Sequence, residues 1–296
     1  MTPNYTVSPF MLPHNSAIQD VEQVARTGGS GVGVSFAKLG GEVSDEQMRD
    51  ALAEHGLRAT FCVPTLWTIL PTPPAFGRSS WEKDPKVRTD QICAELERVA
   101  FFRPVAVIIG SGTSGDPERP AGPLSAVVDG LARIADRAQD FDLQISFELF
   151  GKRRGTPITS LDELVDFIDG VGRPNVGIAF DIFQSWADEG VHDALRRHAK
   201  RILNVDVCDV RVEERSGFDR EIPGRGRGVA PRVVESLLEG GYRGWWKLEV
   251  FSDDGTYGND FADSYWKMPH EDLLRLGHDA FTDILRSAQE KVKVTG

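Results

Sequence analysis

Cysteine is scarce in this chain of 296 residues, and histidine nearly so: there are three of the first and six of the second. Cys62, Cys93 and Cys208 are widely spaced, odd in number and form no Cys-x-x-Cys pair. That argues against a disulfide framework and against a thiolate zinc site, and leaves them as expected small core residues. Long apolar runs are missing as well. None spans a bilayer, and Met1-Thr2-Pro3-Asn4-Tyr5 lacks the basic and apolar regions of a signal peptide, so no membrane partner and a cytoplasmic location are expected. Positive charge is in deficit, with a formal net charge of −11. Nucleic-acid phosphates demand a basic surface, so no nucleic-acid partner is expected either. No Pro/Ser-rich linker divides the chain, which reads as one domain over residues 1–296.

What is present is a repeated rhythm of strand, loop and helix. Strand-like runs begin at Tyr5–Phe10, Gly31–Ala37, Leu57–Thr65 and Val105–Gly110, and continue at Leu143–Phe150, Val176–Phe183, Ile202–Val210 and Gly244–Phe251. Amphipathic segments of helical period lie between them, at Ser16–Thr27, Asp45–His55, Arg88–Phe101, Leu124–Gln139, Leu161–Ile168 and Pro231–Leu238. Ser44-Asp45-Glu46-Gln47 and Thr159-Ser160-Leu161-Asp162-Glu163 supply cap residues with acids in the first turn. Eight such units predict an α/β fold, a closed (β/α)8 TIM barrel rather than an open Rossmann sheet. The glycine-rich Gly28–Gly33 stretch precedes a strand and reads as a helix-to-strand turn. Two long loops, Pro71–Lys86 and Ser252–Met268, follow strands three and eight and are expected at the active-site end.

Four apolar runs close on an acid: Glu148, Asp181, Asp206 and Glu249, on strands five to eight. An ionised carboxylate at such a place is costly unless a cation or hydrogen-bond donors compensate it. Each acid taken alone also fits a structural ion pair or a loop cap. Together they point to one hard divalent cation at the barrel mouth, and oxygen-only ligation favours Mn²⁺ or Mg²⁺ over Zn²⁺. His14 follows strand one and His270 sits in the strand-eight loop, so both are candidates to reach that mouth. Trp67, Trp186 and Trp266 lie just after strand ends and are candidates for lining a sugar-sized pocket, with core packing as the alternative.

Several phrases, in order and spacing, carry a resemblance. Glu148 on strand five, Val176-Gly177-Ile178-Ala179-Phe180-Asp181, the Gly224-x-Gly226 turn and the closing Gly240-Gly241-Tyr242-Arg243-Gly244-Trp245-Trp246-Lys247-Leu248-Glu249 resemble the sugar phosphate isomerase/epimerase family. This is the xylose isomerase-like TIM barrel superfamily, with ketose 3-epimerases, inosose dehydratases, 3-dehydroshikimate dehydratases and endonuclease IV among its members. The resemblance is strong over residues 140–252; the first half shares only the strand–helix rhythm. It implies one divalent metal held by a Glu, an Asp, a His or Gln and a final Glu, here Glu148, Asp181, Asp206 and Glu249. Two positions depart from the pattern. Asp206-Val207-Cys208-Asp209 has an acid where the family has the first residue of His-x-x-Asp, and Asp181-Ile182-Phe183-Gln184 has Gln184 where Asp-x-x-His is usual. Gln184 can bind a substrate hydroxyl but cannot take a proton. Asp219–Gly226 matches a family loop whose arginine reaches the substrate, which makes Arg220 the candidate fork to a hydroxyl, carboxylate or phosphate, or else a solvated loop arginine.

The function expected is a divalent-metal-dependent isomerase or epimerase of a sugar or polyol-like small molecule, acting by proton abstraction next to a carbonyl. Glu148 and Glu249 are the expected pair to remove and return the proton through an enediolate. A metal-dependent lyase, a dehydratase or an enzyme eliminating an aglycone from a 3-keto sugar, shares the first step. A non-catalytic sugar-binding or partner protein stays open because of the two missing histidines, and a homo-oligomer is compatible with the reading. An AP-endonuclease-like nuclease is disfavoured, since it needs several metals, more histidines and a basic face. Four carboxylates around one dication leave a formal charge of about −2, which favours a neutral sugar over a sugar phosphate.

Overall fold

Eight parallel strands close on one another in chain order in this computed structural model, which describes residues 4–41, 43–73 and 82–295. They are β1 (Tyr5–Val7), β2 (Gly31–Ser35), β3 (Arg58–Val63), β4 (Ala106–Gly110), β5 (Ile145–Leu149), β6 (Val176–Asp181), β7 (Ile202–Val207) and β8 (Trp245–Leu248). β8 returns to β1 with Tyr5 opposite Trp246, so the sheet has no free edge. The (β/α)8 barrel expected from the sequence is the fold observed. β1 is shorter than its apolar run. The Ser8 amide still bonds the Leu248 carbonyl at 3.0 Å, but Pro9 has no N–H with which to continue.

The helices are α1 (Ala17–Arg26), α2 (Asp45–Glu54), α3 (Pro85–Phe101), α4 (Leu124–Gln139), α5 (Leu161–Val171), the one-turn α6 (Ile182–Ser185), α7 (Val191–His198), α8 (Val229–Glu239) and the terminal α9 (His270–Thr295). Ser16 and Ser44 each form a capping box, with Gln19 and Gln47, and Ser160 accepts from the Glu163 amide. Of the loop expected over Pro71–Lys86, residues 74–81 lie outside the described residues. Its end is helical instead, because Asp84 caps the Lys86 amide and Pro85 takes the first helical position, where no N–H is needed. Among the described residues no helix is long and apolar enough to cross a membrane.

Side-chain alternation decides what faces the barrel axis. On β5, Ile145, Phe147 and Leu149 pack outward under the helices while Ser146 and Glu148 point the other way. On β7, Val205 and Val207 join that outer core, and Asn204 and Asp206 take the interior. β8 repeats the pattern, with Trp246 and Leu248 outside and Lys247 within. The interior beside β3 and β4 is apolar, built from Phe61, Val63, Ala106 and Ile108. The interior thus holds an apolar cluster as well as the charged side chains of β5 to β8.

Candidate active site and metal centre

Glu148, Asp181 and Asp206 are buried and each offers a carboxylate oxygen, these atoms lying within 4.8 Å of one another. Strand register brings the two aspartates level: Asp181 stands opposite Asp206 across β6 and β7, and Asp206 opposite Lys247 across β7 and β8. Metal–oxygen bonds of ~2–2.6 Å let one hard cation touch all three. Asp206 Oδ2 is also buried without a hydrogen-bond partner, a cost that a bound cation would relieve. The donor set fits the expected dication. Glu249 lies beside this trio rather than within it. Its Oε1 accepts from Ser8 Oγ at 2.6 Å, and its Oε2 faces Arg220 Nη1 at 2.9 Å.

Two side-chain cations enter the cluster. Arg220 is buried and forked: Nη2 reaches Asp181 Oδ2 at 2.9 Å while Nη1 reaches Glu249. Lys247, to which the sequence reading assigned no role, is buried too, with Nζ 2.8 Å from Asp206 Oδ1 and 4.0 Å from Glu249 Oε1. The count of about −2 expected from the sequence is therefore incomplete. Four carboxylates, two side-chain cations and one dication leave no net formal charge.

Burial, and then the neighbouring Asp206 and Asp181, hold the Glu148 carboxyl well above the ordinary carboxylate range. Burial likewise pushes Asp206 up to about 8, with Lys247 opposing it, and raises Asp181 against the pull of Arg220. Burial also acts upward on Glu249, but Arg220, Lys247 and the Ser8 hydroxyl outweigh it and leave this carboxyl below its usual range. The surrounding carboxylates keep Lys247 protonated in spite of its burial.

The loop after β7 places Arg220. Asp209 and Glu221 exchange backbone bonds of 2.7 and 2.9 Å, and the Arg220 amide bonds the Phe251 carbonyl at 2.7 Å. The Asp209 carboxylate accepts from the amides of Val210, Gly224 and Val229, which fixes the turn. Gly224 has φ +78°, and a Cβ on Gly226 would stand 2.0 Å from the Val210 carbonyl oxygen, so the expected tight Gly224-x-Gly226 turn is present and needs its glycines.

Above the carboxylates opens a cavity of about 220 Å³. Glu148, Gln184, Arg220, Lys247 and Glu249 supply its polar lining. Phe10, Trp67, Phe150, Phe218, Phe251 and Tyr257 supply an aromatic lining. Of the candidates named from sequence, Trp67, Gln184 and Arg220 are thus brought together with the two glutamates. His14, His270 and Trp186 are not among the lining residues. His14 Nε2 pairs with Asp254 Oδ2 at 2.7 Å and is half exposed, His270 Nδ1 contacts Asn15 Oδ1 at 2.7 Å, and the Trp186 ring lies under the Arg153 and Arg227 guanidinium groups. Sequence reasoning missed Lys247, Ser8 and most of the aromatic wall. It also missed Arg154, whose Nε donates to Gln184 Oε1 at 2.5 Å.

A family model of the xylose isomerase-like TIM barrel matches residues 21–282. The chain belongs to that family. Its similar relatives include the rhizopine catabolism protein MocC of Rhizobium meliloti, 33% identical over 49% of this chain and 47% of the relative. D-psicose 3-epimerase of Enterocloster bolteae is 24% identical over 54% of this chain and 48% of the relative. The chain thus spans about half the length of the curated relatives it matches. A solved structure of IOLI protein with a binding zinc atom aligns with TM-score 0.75 at 14% identity, over 96% of this chain and 99% of that one, a likeness of fold.

Proposed function

We propose that the protein is a divalent-metal-dependent isomerase or epimerase of a sugar or polyol-like substrate, working by proton transfer at a carbon next to a carbonyl. The observation that carries this reading is the placement of Glu148 and Glu249 in the wall of one cavity, beside an oxygen-only cluster able to hold a cation. Glu148, Asp181 and Asp206 would hold the ion, with Glu249 alongside. The naming of one similar relative as an epimerase and the zinc atom of another family fold support the same class. A bound Mn²⁺ or Mg²⁺ would polarise the substrate's carbonyl and hydroxyl oxygens and so acidify the adjacent C–H.

The protein's own residues do the rest. Glu249, held ionised by Arg220, Lys247 and Ser8, is the carboxylate suited to remove the proton; Glu148, in the wall of the same cavity, is suited to return one. Gln184 binds a substrate oxygen but moves no proton. The aromatic lining excludes water and covers the apolar face of a sugar ring. The aromatic wall also favours a second reading, a lyase that eliminates an apolar leaving group after the same proton abstraction.

Metal analysis of the purified protein, with mass spectrometry of ketoses, inososes and 3-keto-glycosides incubated in deuterium oxide, tests both. Deuterium incorporation into a product of otherwise unchanged mass supports the isomerase, and loss of water or an aglycone supports the lyase. A protein that binds no divalent cation and exchanges no carbon-bound hydrogen overturns both.

A further inference from the structure

We propose that Lys247 contacts the substrate directly and supplies the positive charge by which this cavity accepts an oxyanion, whether a carboxylate or the negative charge that develops on a substrate oxygen. The proposal takes its location from the active site described above and goes beyond it in naming the residue and the ligand charge. Lys247 lines the cavity and is only 3% exposed. An ammonium carries three N–H donors. One reaches Asp206 Oδ1 at 2.8 Å, and the next carboxylate, Glu249, stands at 4.0 Å, beyond hydrogen-bond reach. Donors therefore remain for a ligand. Arg220, the other cation in the wall, turns both terminal nitrogens onto Asp181 and Glu249.

A second observation agrees. Arg154 donates to Gln184 Oε1, and because a guanidinium accepts nothing, this fixes the orientation of the amide. The NH₂ of Gln184 is thus the half left for the cavity it lines. Lys247 and Gln184 together present donors, and a donor wall beside a neutralised carboxylate cluster is matched to an oxygen carrying negative charge. Without Lys247 the same cluster, loaded with a dication, would keep an excess negative charge and repel such an oxygen.

Calorimetric binding of a six-carbon aldonate and of the corresponding neutral alditol to the full chain, with and without saturating Mn²⁺, tests the proposal. The native protein should bind the aldonate at least as tightly as the alditol. Lys247→Met should weaken the aldonate by ~10-fold or more and the alditol by less than ~3-fold, as expected for loss of a charge-assisted bond. Lys247→Arg should restore the preference. Should Lys247→Met fail to fold, the pair Asp206→Asn/Lys247→Met removes the whole buried ion pair and gives the same readout. An equal loss of both ligands, no loss of either, or a native protein preferring the alditol overturns the proposal. Failure of Mn²⁺ to bind is seen separately and counts against the metal-dependent reading, while the aldonate-to-alditol ratio of the metal-free forms still decides Lys247.

Discussion

Arg220 Nη2 lies 2.9 Å from Asp181 Oδ2, and both side chains are buried. The guanidinium cannot be removed without leaving both Asp181 and Glu249 short of a partner. Truncating one member of a buried ion pair costs about 3–5 kcal/mol. Arg220→Met should lower the melting temperature of the metal-free protein, and saturating Mn²⁺ should recover more stability in this variant than in the native chain. Thermal unfolding with and without the ion checks this. A native-like melting temperature would show that the fork does not compensate these acids.

The two glutamates of the cavity wall carry the proton-transfer reading. Glu148→Gln and Glu249→Gln keep size and shape but can neither return nor take a proton, so each should lower turnover by roughly 10²–10⁴-fold with the fold intact. Deuterium exchange at the substrate carbon and far-ultraviolet circular dichroism measure the two effects. Near-native exchange in either variant would remove that residue from the scheme.

Stability of the metal-free protein should fall as pH rises. Asp206 is pushed up to about 8 in the folded state, and Glu148 and Asp181 are raised as well. In the unfolded chain these carboxyls titrate near ~4. Between those values the folded form holds more protons than the unfolded one, so deprotonation favours unfolding. Glu249, depressed in the fold, acts in the opposite sense and only at the acid end. Melting temperatures should decline from about pH 5 to about pH 8, less steeply in Asp206→Asn, and saturating Mn²⁺ should flatten the slope. A flat profile for the metal-free native protein would contradict the burial argument.

The turn that delivers Arg220 should tolerate no side chain at Gly226. A Cβ there would stand 2.0 Å from the Val210 carbonyl oxygen, which is backbone and cannot swing away. Gly226→Ala should destabilise by about 1–3 kcal/mol and weaken cation binding as the loop carrying Arg220 shifts. Urea unfolding and metal calorimetry check the two consequences, and a variant native in both would show that the loop relaxes freely.

The barrel and the four acids were legible in the sequence for one reason. An acid that closes an apolar strand run is chemically out of place, and eight strand–helix units leave few ways to arrange it. Lys247 stands in the same apolar run as Glu249 yet carries no signal in the sequence, because its partner depends on register. Only once β7 and β8 align Asp206 with Lys247 does the lysine become part of the site. The aromatic wall was hidden for a similar reason. Phe218 and Tyr257 stack at 5.0 Å although they come from loops after different strands, and their meeting depends on how those loops fold back over the mouth. His14 follows β1 as expected, but its ring is committed to Asp254 rather than to the cavity.

That register also changes what is expected from substituting Asp206. Judged by ligand chemistry alone, Asp206→His replaces a hard oxygen donor by an imidazole, so preference should move from Mn²⁺ and Mg²⁺ towards Zn²⁺ and Co²⁺. The structure adds a second effect of independent origin. Lys247 loses the carboxylate 2.8 Å away and becomes a buried ammonium with a weaker partner, so the variant should also be less stable. Adding Lys247→Met to Asp206→His removes the stranded charge and should restore stability while leaving the altered metal preference in place. Competition calorimetry with the four cations, beside thermal unfolding of the single and double variants, separates the two effects. If metal preference is unchanged while stability falls, Asp206 serves Lys247 alone and Oδ2 does not face the ion; if preference changes while stability holds, the ion pair contributes little and the carboxylate is there for the metal.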